Sequence, residues 1–361
     1  IQWRSTCGGI ISSTITPVNP GVTVSAHRCG ISSSEPLAHV AELPSVPEYY
    51  LVPKKVARAI PALGRASIWL EARLFRFLFW VLGQLSVERA SSVAAAVVGL
   101  IGPHTYLARI VRGNLAVAFP DWDEQDLRRT TRGIFRQLGM AVAELTNMDK
   151  IWSEREQRLE FCIDPLAQAH LDAGGATVFV TAHVGAWQVV NLFSRQQNLT
   201  ITVVFAEESN PRVRDIMHRL REAFGVKLLP THAGVRPLLR ELKAGNSIGL
   251  AMDTRLDTGE PIPFFGVDAL TNTSAARLAL RTGAALIPIR GERLRPGHFR
   301  VSVMAPIASA DPDAELAEQA IAMTRLLNEH FEQWIRAAPD HWMCLKRRWP
   351  KARAESSAPS R

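Results

Sequence analysis

The residue best placed for acid–base chemistry is His183, which follows the apolar run in the segment TVFVTAHVGAWQ. The run 177–181 predicts a buried strand, and Gly185 permits a tight turn directly after it. Catalytic groups in parallel α/β sheets collect at the carboxyl ends of strands. A histidine there is a candidate general base, because its ordinary pKa lies near neutrality. A polar histidine that is simply satisfied by its neighbours is the alternative interpretation.

Two later segments carry charged residues at the ends of predicted elements. NPRVRDIMHRLREAFG predicts a helix with four arginines, and Arg221 lies near its C-terminal end. MDTRLDTGEPIPFFG predicts a strand that runs out into Asp253 and Arg255, followed by a loop that contains Glu260 and closes on an aromatic pair. The plainer interpretations are a solvated basic face for the first segment and a structural turn, plugged by the aromatic pair, for the second.

The elements that position these groups alternate between strands and helices after Pro165. This order predicts an α/β domain with a largely parallel central sheet flanked by helices. Ahead of it we expect helices between 105 and 150, one of them capped by Asp121. The expected strands are 177–181, 201–205, 226–229, 247–252, 285–289 and 299–304, and the expected helices are 211–224, 235–244, 273–282 and 313–336.

Four regions are expected along the chain. Residues 1–48, rich in Ser, Thr, Pro and Gly, predict a disordered or non-native tail. Residues 66–101 predict membrane-associating helices, residues 105–350 form the α/β domain, and residues 351–361 read as a basic flexible tail.

The apolar region 66–101 does not have the composition of a free-standing membrane span. Charged residues interrupt its first run, its second run is short, and a spanning helix needs about 20 predominantly apolar residues. The pattern fits a helix lying in a membrane interface, with arginines reaching toward headgroups. A buried core helix is the alternative. The side chains expected to face the membrane are Trp69, Leu70, Leu74, Phe77 and Leu78.

Composition narrows the classes of partner and site. Forty-two Lys and Arg against 34 Asp and Glu give a formal net charge of +8, which suits an anionic membrane or a nucleic acid. Four cysteines without a CxxC motif indicate neither a disulfide scaffold nor a cysteine-rich zinc site. Because there is no HExxH spacing, GxGxxG motif or Walker loop, we expect no metal, nucleotide or other bound cofactor.

The order of several motifs resembles the lipid A lauroyl/myristoyl acyltransferase family of HtrB-like lysophospholipid acyltransferases. The resemblance covers roughly residues 107–350. It begins with RGNLAVAFPDWDEQDLRR and FRQLGMAVAEL, and it continues through AHVGAWQ and the two charged segments quoted above. It then includes SAARLALRTGAALIPIR and closes with HWMCLKRRWP. Each motif is weak alone, but their common order is specific, and it explains the apolar helices that a nucleic-acid binder would not need.

The resemblance implies a glycerolipid-acyltransferase-like domain that moves a fatty acyl chain from a thioester to a hydroxyl of a membrane lipid. It implies acyl carrier protein or coenzyme A as the thioester carrier, and a location on the cytoplasmic face of a bacterial inner membrane. The expected acceptor is a lipid A precursor, with another glycolipid or lysolipid as the alternative.

Individual site roles also follow from the resemblance. His183 matches the motif histidine, the general base, and Arg221 matches a helix arginine suited to acceptor phosphates. Asp253 and Arg255 match the charged positions before the FFG loop and are expected to hold the site and substrate, and Glu260 is expected beside them.

One position departs from the family motif, which places Asp or Glu five residues after the histidine. This chain has Gln188 there. An amide oxygen can accept the ring N–H but brings no charge to stabilise the imidazolium. Three explanations stay open: a slow enzyme with Gln188 in the site, an active one in which Glu260 or Asp253 supplies the charge, or a noncatalytic lipid-binding relative.

Overall fold

The computed structural model describes Val52 and residues 54–350, so the tails predicted at 1–48 and 351–361 lie outside the described residues. Most of its strands form one seven-stranded sheet, in the order β1-β9-β8-β2-β5-β3-β4, and β6 and β7 form a separate hairpin. In chain order the strands are β1 (Leu159–Ile163), β2 (Thr177–Thr181), β3 (Ile201–Phe205), β4 (Lys227–Pro230), β5 (Ser247–Ala251), β6 (Arg255–Phe264), β7 (Val267–Thr271), β8 (Ala285–Arg295) and β9 (His298–Val303).

The sheet is largely parallel, as the sequence predicts. Five of its six pairings are parallel, and only β8 and β9 run antiparallel. The strands β2 and β3 begin and end where the alternation predicts them. Two elements go beyond the prediction: β1 was not expected, and β8 continues past Ile289 to Arg295, which lets it form a long ladder with β9.

Helices pack against the sheet and extend ahead of it. They are α1 (Lys54–Ala59), α2 (Pro61–Gln84), α3 (Val87–Ile101), α4 (Tyr106–Ala118), α5 (Glu124–Thr146), α6 (Met148–Ser153), α7 (Arg155–Arg158), α8 (Pro165–Asp172), α9 (Phe193–Gln197), α10 (Pro211–Glu222), α11 (Arg236–Lys243), α12 (Ser274–Thr282) and α13 (Leu316–Ala337). Asp123, rather than the expected Asp121, caps α5, because its carboxylate accepts from the Asp126 N–H.

Both faces of the central strand β2 are buried, which fixes the strand that leads to the site. Val178 and Val180 of β2 belong to one apolar cluster, which includes residues of α12 and α13. Phe179, between them, belongs to another cluster with residues of α6 and α8. Every residue of β2 is buried, as expected for a central strand covered on both sides.

The segment before FFG is a hairpin rather than the expected loop. Strands β6 and β7 pair antiparallel on either side of a turn at Phe265 and Gly266. The Gly and Pro residues of TGEPIP hide the period-two pattern that would have predicted a strand. Phe264 and Phe265 are nevertheless buried, as the structural interpretation of the aromatic pair expects.

The N-terminal helix α2 has one buried face and one exposed apolar face. Glu71 and Phe79 are buried, and Asn210 at the start of α10 donates to Glu71 across the two helices at 2.8 Å. The exposed apolar side chains, each 47–62% accessible, are Trp69, Leu70, Leu74, Phe77, Leu78 and Trp80.

Among the described helices, none taken singly has the length and apolar content to cross a membrane. Residues Val87–His104 and Tyr106–Ala118 meet those criteria as a pair, with a bend of 85° between them.

Candidate active site

The turn after β2 is built to present His183 at the carboxyl end of that strand. Gly185 has a φ of 63°, and a Cβ there would lie 2.5 Å from the Gly291 carbonyl oxygen. The Ala186 N–H donates to that same carbonyl at 2.9 Å. A side chain at either glycine would clash with the opposite backbone, so the pair fixes the turn against β8.

The register of β2 and β5 places His183 beside Asp253. The strands are parallel neighbours in which Thr181 pairs with Ala251, and the two polar residues each follow two positions later. His183 Nδ1 lies 2.7 Å from Asp253 Oδ1, and the His183 backbone N–H donates to the same oxygen at 3.1 Å. The short distance is that of a charge-assisted hydrogen bond, with the ring N–H donating to the carboxylate.

The two groups shift each other's pKa. Burial by itself lowers the pKa of His183 and raises the pKa of Asp253, because each charged form loses water. Their mutual attraction and hydrogen bonds outweigh that effect, so the pKa of His183 lies above its ordinary value and the pKa of Asp253 lies below its own. Asp253 is therefore a carboxylate at neutral pH and stabilises the imidazolium that forms when His183 takes a proton.

Unequal burial leaves the histidine open to a reactant. The Asp253 side chain is 3% exposed, whereas that of His183 is 32% exposed. Because Nδ1 is held by the carboxylate, Nε2 is the ring nitrogen left to accept a proton. A buried acid that orients a partly exposed imidazole is an arrangement suited to general-base catalysis.

The C-terminal segment completes the surroundings of the pair. The Trp342 indole N–H donates to Asp253 Oδ2 at 3.2 Å, so both carboxylate oxygens have donors. Lys346 lies close enough that its charge opposes protonation of His183. Arg348 is buried and donates to Thr271 Oγ1 at 2.6 Å. Burial lowers the pKa of Arg348, and the Asp253 charge partly opposes that shift.

One side of the site is apolar. The Trp187 ring packs beside the His183 ring with centroids 5.7 Å apart. Trp187 also lines a cavity of about 70 Å³, whose other walls include Phe179, Val190 and Val203. The imidazole therefore has a carboxylate on one side and, on another, the Trp187 ring, which also borders the apolar cavity.

Gln188 lies in the same turn but does not bond to the imidazole. His183 Nδ1, the atom that a motif acid would hold, is occupied by Asp253. Gln188 immediately precedes a 3-10 helix (Val189–Leu192), and its Oε1 is buried and accepts no hydrogen bond from the described residues. Of the alternatives left open by the sequence, the geometry favours the one in which Asp253 supplies the charge.

The remaining predicted site residues form ion pairs of their own. Arg221 donates two hydrogen bonds to the Glu208 carboxylate, from Nη1 at 3.2 Å and from Nη2 at 2.7 Å. Its guanidinium also lies over the Phe205 ring. Arg255 Nε lies 2.7 Å from Asp257, and Glu260 lies 3.6 Å from Arg277. Within the described residues, no hydrogen bond or ion pair joins Arg221, Arg255 or Glu260 to the His183–Asp253 pair.

Sequence reasoning missed the role of Trp342 as a donor to Asp253. The two residues are 89 positions apart, and the only signal was an aromatic and basic ending after the last helix. As to metals, the described residues contain no cluster of three or more His, Cys, Asp or Glu side chains that could hold an ion.

Several known proteins align with more than half of this chain. A phosphatidylinositol mannoside acyltransferase of Mycobacterium tuberculosis is 31% identical over 197 residues, which make up 52% of this chain and 59% of the relative. The corresponding protein of Mycolicibacterium smegmatis is 29% identical and aligns with 80% of this chain and 90% of its own. The lipid A biosynthesis lauroyltransferase of Escherichia coli K12 is 28% identical, and the alignment covers 70% of this chain and 82% of that protein.

Among solved structures, the 1-acyl-sn-glycerophosphate acyltransferase PlsC of Thermotoga maritima aligns with 68% of this chain and 99% of its own. The identity is 12% and the TM-score is 0.32. The family described as bacterial lipid A biosynthesis acyltransferase matches residues 54–351. That match spans the helices ahead of the sheet, the His183–Asp253 pair and the C-terminal segment, so the chain belongs to the bacterial lipid A biosynthesis acyltransferase family.

Proposed function

We propose that this protein is an acyltransferase that moves a fatty acyl chain from a thioester to a hydroxyl of a membrane lipid. The observation that carries the proposal is the partly exposed His183 held by buried Asp253 at the carboxyl end of β2. Family membership supports the reaction class.

The reaction uses the pair as a general base. His183 Nε2 takes the proton of the acceptor hydroxyl while the hydroxyl oxygen attacks the thioester carbonyl carbon. The new ester C–O bond forms, the C–S bond breaks, and the proton on His183 passes to the departing thiolate. Asp253 keeps the ring oriented and stabilises its transient positive charge throughout.

The donor and acceptor are assigned by class. We assign a thioester of acyl carrier protein or coenzyme A as donor, and the net charge of +8 favours an acidic carrier. The Trp187 side of His183, with its apolar cavity, suits the hydrocarbon end of the acyl chain. The acceptor is a lipid A precursor, and a mannosylated phosphatidylinositol is the second candidate, because relatives with both names align with the chain.

The other charged residues contribute to substrate binding in this proposal. Arg221 binds an anionic acceptor group in exchange for Glu208, which now holds it. Arg255 and Glu260 lie on β6, a strand whose preceding residues include Asp253, and help to hold the substrate at the site. The Gln188 carbonyl accepts from the Asn191 side-chain amide at 2.9 Å, so Gln188 contributes a main-chain contact to the segment beside the base.

We further propose that the protein acts on the cytoplasmic face of an inner membrane, held there by the exposed apolar face of α2. Each large apolar side chain that moves from water into lipid contributes about 1.5–3 kcal/mol. Leu74→Ser with Phe77→Ser should therefore release the protein from anionic vesicles in a flotation assay. Leu166→Ser, at an exposed leucine of α8, is the matched control and should float like the parent. Release of the parent by high salt alone would contradict apolar anchoring.

The reaction is tested with the protein purified in detergent. It is offered acyl carrier protein and coenzyme A thioesters together with a lipid A precursor, phosphatidylinositol mannosides and lysophospholipids, and the products are read by mass spectrometry. Acylated lipid from the parent and none from His183→Ala, at equal folded amounts, is the expected result. A folded parent that acylates nothing in this panel, yet binds one of the lipids, would favour the noncatalytic lipid-binding alternative.

A further inference from the structure

The C-terminal segment 341–343 forms a backbone clamp on the turn that carries His183. The Met343 N–H donates to the His183 carbonyl at 2.8 Å, and the Gly185 N–H donates to the His341 carbonyl at 2.9 Å. Val184 and Trp342 form an antiparallel bridge between these two bonds. The position of Trp342 relative to the base is therefore set by main-chain contacts on both sides of it.

The Trp342 side chain is equally constrained. It is 1% exposed and packs against the rings of Phe264, Phe265 and Trp349, with centroids 5.9–6.3 Å apart. From this fixed position its indole Nε1 donates to Asp253 Oδ2 at 3.2 Å. Oδ1 of the same carboxylate receives the His183 ring N–H and backbone N–H. Each Asp253 oxygen thus has a separate donor, and rotation of the carboxylate would break both sets of contacts.

We propose that Trp342 is a positioning residue, whose indole N–H fixes Oδ2 of Asp253 so that Oδ1 stays on the His183 ring. The inference rests on the proposed function, since it assigns Trp342 to the base of that reaction. Trp342 touches neither reacting atom, and it acts through Asp253.

Other titratable groups near the pair define what a pH profile would report. The charge of Lys346 acts to lower the pKa of His183. The Asp253 charge acts to raise the pKa of both Arg348 and the Cys344 thiol. The pKa of Cys344 is raised by burial, so the thiol stays protonated at working pH. The His341 ring lies near Gly185, and burial lowers its pKa. None of these groups receives the Trp342 indole N–H.

The test removes the indole N–H and keeps an aromatic ring in its place. Trp342→Phe should lower kcat about 10- to 100-fold with little change in KM, as expected when a charged acceptor loses one donor. The acid limb of the pH profile should move to higher pH, because a carboxylate with fewer donors favours the protonated imidazole. Benzothienylalanine at position 342, which has sulfur in place of the N–H, should give the same shift if Trp342→Phe folds poorly.

Trp349→Phe is the matched control. Trp349 lies in the same aromatic cluster, but its indole donates at 3.3 Å to the Val267 carbonyl instead of Asp253. The Trp349→Phe variant should keep the parent's kcat and the acid limb of the parent's pH profile. If the 342 variants match this control in both readouts, Trp342 only fills space and the proposal is overturned.

A second readout separates this inference from the proposed function. Diethyl pyrocarbonate acylates neutral imidazole, so the pH dependence of His183 modification, followed by peptide mass spectrometry, reports protonation without any substrate. A shifted profile in the 342 variants and an unshifted one in Trp349→Phe supports the positioning role even if the parent transfers no acyl group. An unshifted profile in all of them overturns it, whatever the activity.

Discussion

Two pairs of an acidic and a basic side chain in this protein differ in what their burial allows. Glu144 of α5 and Arg293 of β8 are each 2% exposed, and Arg293 Nη2 lies 2.6 Å from Glu144 Oε2. Gln137 also contacts the Arg293 guanidinium. In the other pair, Asp253 is 3% exposed but His183 is 32% exposed. The first pair is closed on both sides and joins a helix to the sheet, whereas the second leaves one ring nitrogen available.

The comparison shows that paired charge alone does not identify a reactive site. Both pairs join residues distant in sequence, and both have short contacts. They differ in the accessibility of one partner and in its ability to exchange a proton near neutral pH. Arginine stays protonated and cannot act as a base, while a histidine beside a carboxylate can.

Replacing the acid of each pair by its amide should affect turnover in one pair and stability in the other. Asp253→Asn should lower kcat by about 10³- to 10⁴-fold, by analogy with loss of the orienting acid in a catalytic triad. Its unfolding free energy should fall by only about 1–3 kcal/mol, because a buried donor, the Trp342 indole N–H, loses a carboxylate acceptor but no buried charge is left unpaired. Glu144→Gln leaves the Arg293 charge buried without a counter-charge and should cost about 3–5 kcal/mol of unfolding free energy.

Denaturant unfolding measures the stability of both variants, and steady-state kinetics measure their kcat. Asp253→Asn should lose mainly kcat, and Glu144→Gln should lose mainly stability. The folded fraction of Glu144→Gln should keep the parent's pH profile. A large loss of stability in Asp253→Asn together with normal turnover per folded molecule would reverse the roles assigned to the two pairs.

A third pair, Arg221–Glu208, is intermediate in exposure, at 15% and 16%. If Arg221 binds an anionic acceptor, Arg221→Ala should weaken acceptor use by about 10- to 100-fold, the value of a charged hydrogen bond. Glu208→Gln should have the opposite effect and lower the KM for acceptor, because the guanidinium is released. Steady-state kinetics with varied acceptor distinguish the cases, and equal losses in both variants would assign the pair to structure only.

The pH dependence of the parent follows from the direction of the pKa shifts. His183 must be neutral to accept a proton, and its pKa is raised by Asp253. The value of kcat/KM should therefore fall as the pH drops through that raised pKa, which lies above the ordinary value for histidine. In Asp253→Asn the acid limb of the profile should move to lower pH, because the charge that raises the pKa of His183 is gone. An acid limb that is the same in both proteins would disconnect Asp253 from the base.

Much of the site was predictable from local sequence because its geometry comes from two neighbouring strands. The apolar runs before His183 and Asp253 predict strands, and parallel register then places their following residues together. The hairpin β6–β7 was not predictable in the same way, since Gly and Pro interrupt its alternation.

Long-range contacts account for what the sequence did not reveal. Trp342 reaches Asp253 across 89 positions, and Glu144 reaches Arg293 across 149. Neither contact follows from a period or a spacing within one element. Gln188 was the reverse case: its spacing from His183 suggested a partner for the ring, but the ring's Nδ1 is held by a residue of the neighbouring strand.

In the proposed mechanism Asp253, and not position 188, supplies the carboxylate that supports the His183 base. The most direct measurement is kcat for Gln188→Leu and Asp253→Asn, assayed side by side with the same donor and acceptor. Gln188 Oε1 accepts no hydrogen bond within the described part of the chain, so Gln188→Leu should keep kcat within about one order of magnitude of the parent. Asp253→Asn should lose at least two orders more. A greater loss of kcat in Gln188→Leu than in Asp253→Asn would assign the supporting role to position 188 and not to Asp253.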